Sequence, residues 1–392
     1  MFPDRLRTST SRAALGVVVA IAALTALTAG SAVARPSGET SATKANGPGP
    51  AAVESRRKCA KRKQRRARQA RKRRRSCRKA KRRGRAGSYS GAFAPSSFWN
   101  KPLGANAELD PRSDALVGNL LSVVNGEVKR RNGPWINTQE YSTPVYEVPS
   151  GQNTVSVKLD HPPDAALQKA FNAVPIPSGA RAAGGTDKHM VVWQPAKDKM
   201  WEFWKMTRQG DGWHARWGGA MHEVSSNRGY FSTASWPGAK PWWGATATSL
   251  PLLGGLMRIK EAQAGRINHA LAIAMPNVRQ GVYSWPAQRT DGNNPSKDSI
   301  PEGARFRLDP KLDLARLNLP PLVRTMAEAA QRYGIVVRDY AGLVTFVGED
   351  PARSRAPSWG PLYGGKYPSQ LLASFPWRHL QLLKMDLSTR PG

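Results

Sequence analysis

Between Trp193 and Trp285 the chain places nine of its thirteen tryptophans, and His189, His214, His222 and His269 lie in or just before that stretch. Aromatic faces suit the apolar faces of sugar rings, while polar groups beside them fix hydroxyls, so this density points to a saccharide cleft. Within it, Met200 to Met206, the turn from Gln209 to Gly212 and Trp213 to Trp217 read as a β-hairpin. Alternation puts Glu202, Trp204 and Met206 on one face of the first strand. It puts His214 and Arg216 together on the second, opposite Trp213 and Trp217. Loop length decides which faces coincide: a three-residue loop unites Glu202 with His214 and Arg216, whereas a two-residue loop sets Glu202 beside Trp217. In the first register a carboxylate, an imidazole and a guanidinium converge. Glu202 then serves as general acid or base, His214 tunes it, and Arg216 holds an acidic sugar or the developing charge.

Glycoside cleavage by acid–base chemistry needs a second carboxylate. Asp187, in the glycine-led run Gly184-Gly-Thr-Asp-Lys-His189, is the first candidate, because such a loop before a strand presents side chains to a cleft. Glu223 and Asp291 are the alternatives. Two further segments combine stacking surface with hydrogen-bonding groups: Pro241 to Ser249, with Trp242 and Trp243, and Tyr283 to Asp291, with Trp285, Gln288 and Arg289. Together with Trp204 and Trp217 these are the candidate substrate contacts. Filling the core of a disulfide-free domain is the competing use for each Trp, and a hydrogen-bonded core imidazole is the expected state of His189 and His269.

Other chemistry is excluded by type or spacing. Gly360 to Tyr367 approaches a P-loop but has Tyr367 where a Ser or Thr would bind magnesium, followed by Pro368. No dinucleotide fingerprint, nucleophile elbow or HExxH occurs, and the body has no cysteine for thiol catalysis. No cofactor is expected, and Asp187 with His189 matches no known metal-ligand spacing.

The elements that must hold these residues read as mainly β, most simply an antiparallel β-sandwich-like domain with a few peripheral helices. Helical spacing of Leu116, Leu120 and Val124 after Asp110-Pro111 marks a helix over 111–124, and Leu322, Met326, Ala329 and Tyr333 mark another over 322–333. Strands are expected at 155–159, 190–193, 200–206, 267–275 and 305–308. Residues 335–338 and 343–347 read as a hairpin, and 367–385 as helix broken at Pro376.

Charge and composition set the context. Of a formal net charge of +33, residues 55–85 supply 20 Lys and Arg with no acid. Residues 1–34 read as a secretory signal peptide: Arg5, Arg7 and Arg12, an apolar run from Ala13 to Ala29, then Ala32-Val33-Ala34 for cleavage. Residues 35–90 read as flexible linker and polybasic tract, and 91–392 as a single globular β-rich domain. The tract, through groups such as Arg56, Lys61, Arg65, Arg71, Arg75 and Lys81, would bind polyanions without specificity by counterion release. Cys59 and Cys77 lie inside it. No further segment is apolar enough to span a membrane, so the expected location is extracellular or envelope-associated.

Seven short pieces together resemble a family of secreted soil-bacterial proteins of uncharacterised activity: Ser97-Phe-Trp-Asn100, Gly185-Thr-Asp-Lys-His189, Trp201-Glu-Phe-Trp204, Leu250-Pro-Leu-Leu-Gly254, Ile267-Asn-His-Ala-Leu271, Trp285-Pro-Ala287 and Arg305-Phe-Arg-Leu308. The resemblance spans roughly 95–385, implies one continuous domain and carries no catalytic residue over. The expectation is a secreted protein that cleaves an acidic or neutral extracellular glycan, as hydrolase or lyase. The alternative is a non-catalytic envelope- or polysaccharide-binding protein tethered by its polybasic tract. Nucleic acid is not expected as a specific partner.

Overall fold

Continuous apolar runs such as Leu271-Ala-Ile-Ala-Met275 and Ile335-Val-Val337 suit strands covered on both faces, and the computed structural model puts them at the centre of its largest sheet. The structure describes residues 91–160, 162–351 and 358–389, all within one compact unit that begins at Arg85. The segments expected to be signal peptide and linker, the polybasic tract with Arg56 to Lys81, and both cysteines lie outside the described residues. Among the described residues no helix is long and apolar enough to cross a membrane.

The chain is mainly β, as its patterning implies, but the pairing is mixed rather than wholly antiparallel. In chain order the strands are β1 (Trp135–Asn137), β2 (Val145–Glu147), β3 (Val157–Leu159), β4 (Met190–Gln194), β5 (Lys199–Trp204), β6 (Thr207–Gln209), β7 (Gly212–Ala215) and β8 (Trp217–His222). There follow β9 (Leu271–Met275), β10 (Val282–Ser284), β11 (Arg305–Leu308), β12 (Ile335–Tyr340), β13 (Thr345–Val347), β14 (Leu380–Leu382) and β15 (Leu387–Thr389). They form a six-stranded sheet in the order β1-β13-β9-β12-β11-β14, a four-stranded sheet β2-β4-β5-β8, a three-stranded sheet β3-β7-β6 and the pair β10-β15.

Strand β9 shows how the two apolar cores meet. Leu271, Ile273 and Met275 join a core with Leu116 and Leu120 of helix α1 (Ser113–Arg130) and with Phe306 and Phe346. The alternate residue Ala272 joins the other core, with Val192, Phe203, Phe171 and Trp243. Period-two alternation thus shares one strand between two cores. Helix α2 (Ala165–Phe171) covers the four-stranded side, with Asp164 capping the Leu167 amide at 2.9 Å. Helix α4 (Pro321–Arg332) buries Leu322, Met326 and Ala329 on the six-stranded side, while the short α3 (Ile259–Gln263) lies between them in the chain.

Two local readings change. Residues 335–338 and 343–347 form β12 and β13 but not a hairpin, because β9 lies between them, parallel to β12 and antiparallel to β13. Towards the end, α5 (Gly360–Tyr363) and α6 (Pro368–Leu372) are followed by strands rather than by further helix: β14 pairs with β11 and β15 with β10.

The 200–217 hairpin adopts its two-residue loop. Trp204 faces Trp217, Thr207 faces His214 and Gln209 faces Gly212, a single register closed by Gly210 and Asp211. The ladder is interrupted at Lys205, where φ is 52°, and there the Lys205 and Met206 amides donate instead to the carbonyls of Asp187 and Lys188. That exchange seats the Asp187 loop against the hairpin.

Gly303 is one of the tightest backbone contacts. Its φ is +82°, and a Cβ there would stand 1.8 Å from the Ser284 carbonyl oxygen. Gly303→Ala is therefore expected to lower stability by about 2–4 kcal/mol in urea denaturation. Gly210→Ala, with open space around it, should stay within about 0.5 kcal/mol of the parent. Equal effects would contradict this packing.

Candidate functional site

Four carboxylates from distant parts of the chain draw together: Asp187 before β4, Asp291 after β10, Glu302 before β11 and Asp339 near the end of β12. Oxygens of Asp291, Glu302 and Asp339 lie within 4.8 Å of one another. Asp187 is close enough to act electrostatically on both Asp291 and Asp339. Asp291 is exposed, Asp187 and Asp339 are half-buried and Glu302 is fully buried, so the group opens to solvent on one side.

Local backbone explains each position. Gly185, at φ +80°, turns the chain tightly against the Tyr141 ring, and Asp187 Oδ1 then accepts from Trp204 Nε1 at 3.2 Å. A β-bulge between Val337 and Asp339 makes Arg338 the extra residue opposite β9; such bulges re-aim side chains. Glu302 is held by its backbone: its carbonyl accepts from Ser284, and the next amide, Gly303, donates to Val337. One of its carboxylate oxygens, Oε2, accepts the Asp291 amide at 3.2 Å, while Oε1 is enclosed without a hydrogen-bond partner.

Beneath the carboxylates runs the loop 244–254, gripped from several sides. Glu202, fully buried, accepts the Ala245 amide on Oε1 at 2.7 Å and the Leu252 amide on Oε2 at 2.8 Å. Arg289 donates to the carbonyls of Gly244 and Thr246, and Arg338 to those of Leu252 and Gly254. His189 Nε2 lies 3.2 Å from the Ala245 carbonyl oxygen. The Thr248 hydroxyl donates to the Arg338 carbonyl, and its own carbonyl accepts the Gln288 amide.

Burial and mutual repulsion shape the titration. Asp339 is pushed up to about 7, first by burial and then by the charges of Asp291 and Asp187, with Arg338 opposing. Burial, followed by Asp339 and Asp291, holds Glu302 well above the carboxylate range, and burial also raises Asp291. Burial drives Glu202 up to about 7 against the pull of its two amide donors, Arg338 and Arg289. It drives the His189 imidazole down to about 4, with Asp187 pulling the other way.

The residues singled out by sequence separate into three groups. Asp187, Asp291 and Arg289 gather at the carboxylate hollow. Glu202 stands below it with both oxygens taken by backbone amides, a position from which it braces a loop and has no path to a substrate. Apart from Trp204, bonded to Asp187, the rest lie elsewhere or in the core. The two-residue loop separates His214 and Arg216 from Glu202, and His214 is sandwiched between Asp160 at 2.7 Å and Asp211 at 2.8 Å. Trp243 is fully buried, with Nε1 donating to Asp164, and Trp217 is buried too. Trp204 is half-buried beside Asp187, whereas Trp242 and Trp285 are about half exposed (50% and 46%). The Trp285 ring meets Phe98 and Tyr230 edge-on. Gln288 bonds to the Pro286 carbonyl, and Glu223 is an exposed turn residue at φ 51°. His189 and His269 are hydrogen-bonded and buried, the latter to Glu261 and its neighbouring carbonyl.

Glu302, Asp339 and Arg338 were missed. Their signals are local: an acid between Pro301 and Gly303, and an Arg-Asp pair at the end of an apolar strand. Comparison with family models, with curated proteins and with solved structures finds no match, so the site is interpreted from its own geometry.

The His214 cluster gives a separate test. Hydrogen bonds from the imidazole to Asp160 and Asp211 raise its pKa. Its ion pairs are therefore fully stabilising below the unfolded value of about 6.5 and fade as pH rises through the elevated folded one. His214→Gln should lower the urea midpoint more at pH 6 than at pH 9, and an equal loss at both would contradict the pairing.

Proposed function

We propose that the protein is an exported glycan-cleaving enzyme that works in the hollow of Asp187, Asp291, Glu302 and Asp339, with Asp187 as the proton-transferring carboxylate. The observation that carries this reading is a solvent-reaching carboxylate group with a half-buried tryptophan bonded to one of its acids: Trp204 donates to Asp187 itself. Stacking faces beside carboxylates are what binding and cleaving a sugar polymer require.

In this reading a sugar ring lies against Trp204, and Asp187 moves a proton. In hydrolysis Asp187 gives its proton to the departing glycosidic oxygen, while another carboxylate of the hollow takes a proton from the water that attacks the anomeric carbon. In elimination Asp187 takes the proton from the carbon next to a uronate carboxyl, the double bond forms there, and the C–O bond to the leaving sugar breaks. Glu202, Arg289, Arg338 and His189 hold the floor rather than touch the substrate. Export rests on the N-terminal pattern of residues 1–34, and the polybasic tract 55–85 would keep the enzyme on anionic envelope polymers.

The test is a panel of acidic and neutral polysaccharides assayed for new reducing ends and for ultraviolet-absorbing unsaturated ends. Asp187→Asn should cut the rate about 10²–10⁴-fold with an unchanged unfolding midpoint. Absence of product across the panel, with retained polymer binding, would overturn cleavage in favour of a binding protein.

A further inference from the structure

The charge balance of the hollow is incomplete. Arg289 and Arg338 direct their guanidinium donors to carbonyls of the 244–254 loop. Among the described residues, none of Asp187, Asp291, Glu302 or Asp339 makes an ion pair with a Lys, Arg or His. The two guanidiniums reach the acids only through their field, and converging carboxylates that no cation bridges repel one another, the more so in low-dielectric surroundings.

An independent feature points to what offsets it. Glu302 is wholly buried; Oε2 accepts the Asp291 amide, the Thr290 side chain lies near the carboxylate, and Oε1 has no partner in bonding geometry. An enclosed carboxylate oxygen without a donor costs several kcal/mol unless something positive meets it. The surrounding backbone does not supply it: the Asp291 amide is committed to Oε2, and the Gly303 amide points to the Val337 carbonyl. The same carboxylate shares a space within 4.8 Å with oxygens of Asp291 and Asp339.

We propose that Asp291, Glu302 and Asp339 form a binding site for one divalent hard cation, calcium in preference to magnesium. All donors are carboxylate oxygens, which suit calcium or magnesium and not the softer metals. Three oxygens within 4.8 Å of one another can surround one ion, and calcium's tolerance of irregular cages suits acids carried by two loops and a strand end better than magnesium's near-ideal octahedron does. Three protein ligands leave several of calcium's six to eight positions to water or to hydroxyl and carboxylate groups of a ligand, on the side where Asp291 is exposed. The bulge at Arg338 and the tight packing at Gly303 fix two of the three ligands before any ion arrives, since their backbone contacts do not depend on it. The site stands whether or not the protein cleaves glycans.

The full chain, freed of metal on a chelating resin, is titrated with calcium chloride by calorimetry, with magnesium chloride as the comparison. Expected is saturable binding of one calcium ion per chain in the micromolar to millimolar range, tighter than magnesium, with a rise in unfolding midpoint. Asp291→Asn, at an exposed position where the fold is undemanding, should weaken calcium at least about tenfold with a metal-free midpoint that is not lowered, since a repelling charge is removed. Asp339→Asn should do the same, and Asp187→Asn should leave calcium affinity within about threefold. No saturable binding to the parent, tighter magnesium than calcium, or affinity untouched by both Asp291→Asn and Asp339→Asn would overturn the site. Glycan cleavage that persists in the metal-free protein would remove the ion from that reaction while leaving the cleavage reading in place.

Discussion

The arrangement around the hollow depends on one buried carboxylate. Glu202 lies in the middle of the four-stranded sheet with no exposure, and both of its oxygens accept backbone amides, from Ala245 and Leu252. Taking a carboxylate out of water costs several kcal/mol, and two charge-assisted hydrogen bonds return about 1.5–3 kcal/mol each. Burial outweighs them, and it drives the carboxyl up to about 7. Losing the carboxylate would leave two enclosed amides without an acceptor, at a cost of about 1–3 kcal/mol each.

That contact reaches the surface through the backbone. The loop it fixes offers carbonyls to Arg289, Arg338 and His189, and each of these neighbours a carboxylate of the hollow in sequence or in field. Arg338 precedes Asp339, Arg289 lies two residues before Asp291, and His189 lies two after Asp187. A charge in the core of one sheet thus sets the spacing of acids carried by three separate loops and a strand end. Positioning residues of this kind resemble catalytic ones in sequence, because both are polar residues amid apolar ones.

Much of the fold was legible because it is local. Helical spacing located α1 and α4, and apolar runs located β4, β5, β9 and β11. The neighbours of strands were less so: nothing in 335–347 reveals that β9, some sixty residues earlier, intervenes between β12 and β13. The hairpin register was undecidable because glycines at both 210 and 212 permit either loop. At the site, Asp187 and Asp291 stood out as acids in loops near tryptophans. Glu302 and Asp339 did not, since their significance comes from a bulge and from long-range pairing. Glu202 stood out for its position among tryptophans, and only the structure supplies its partners.

Native-state amide hydrogen exchange at Ala245 and Leu252 tests this dependence most directly. Both lie in an irregular loop, where amides ordinarily exchange fast. If Glu202 holds them, they should be among the slowest in the protein, exchanging only with global unfolding and matching core amides such as Val192 and Ile273. Exchange as fast as that of exposed loop amides would contradict the brace and, with it, the fixed spacing of the carboxylates above.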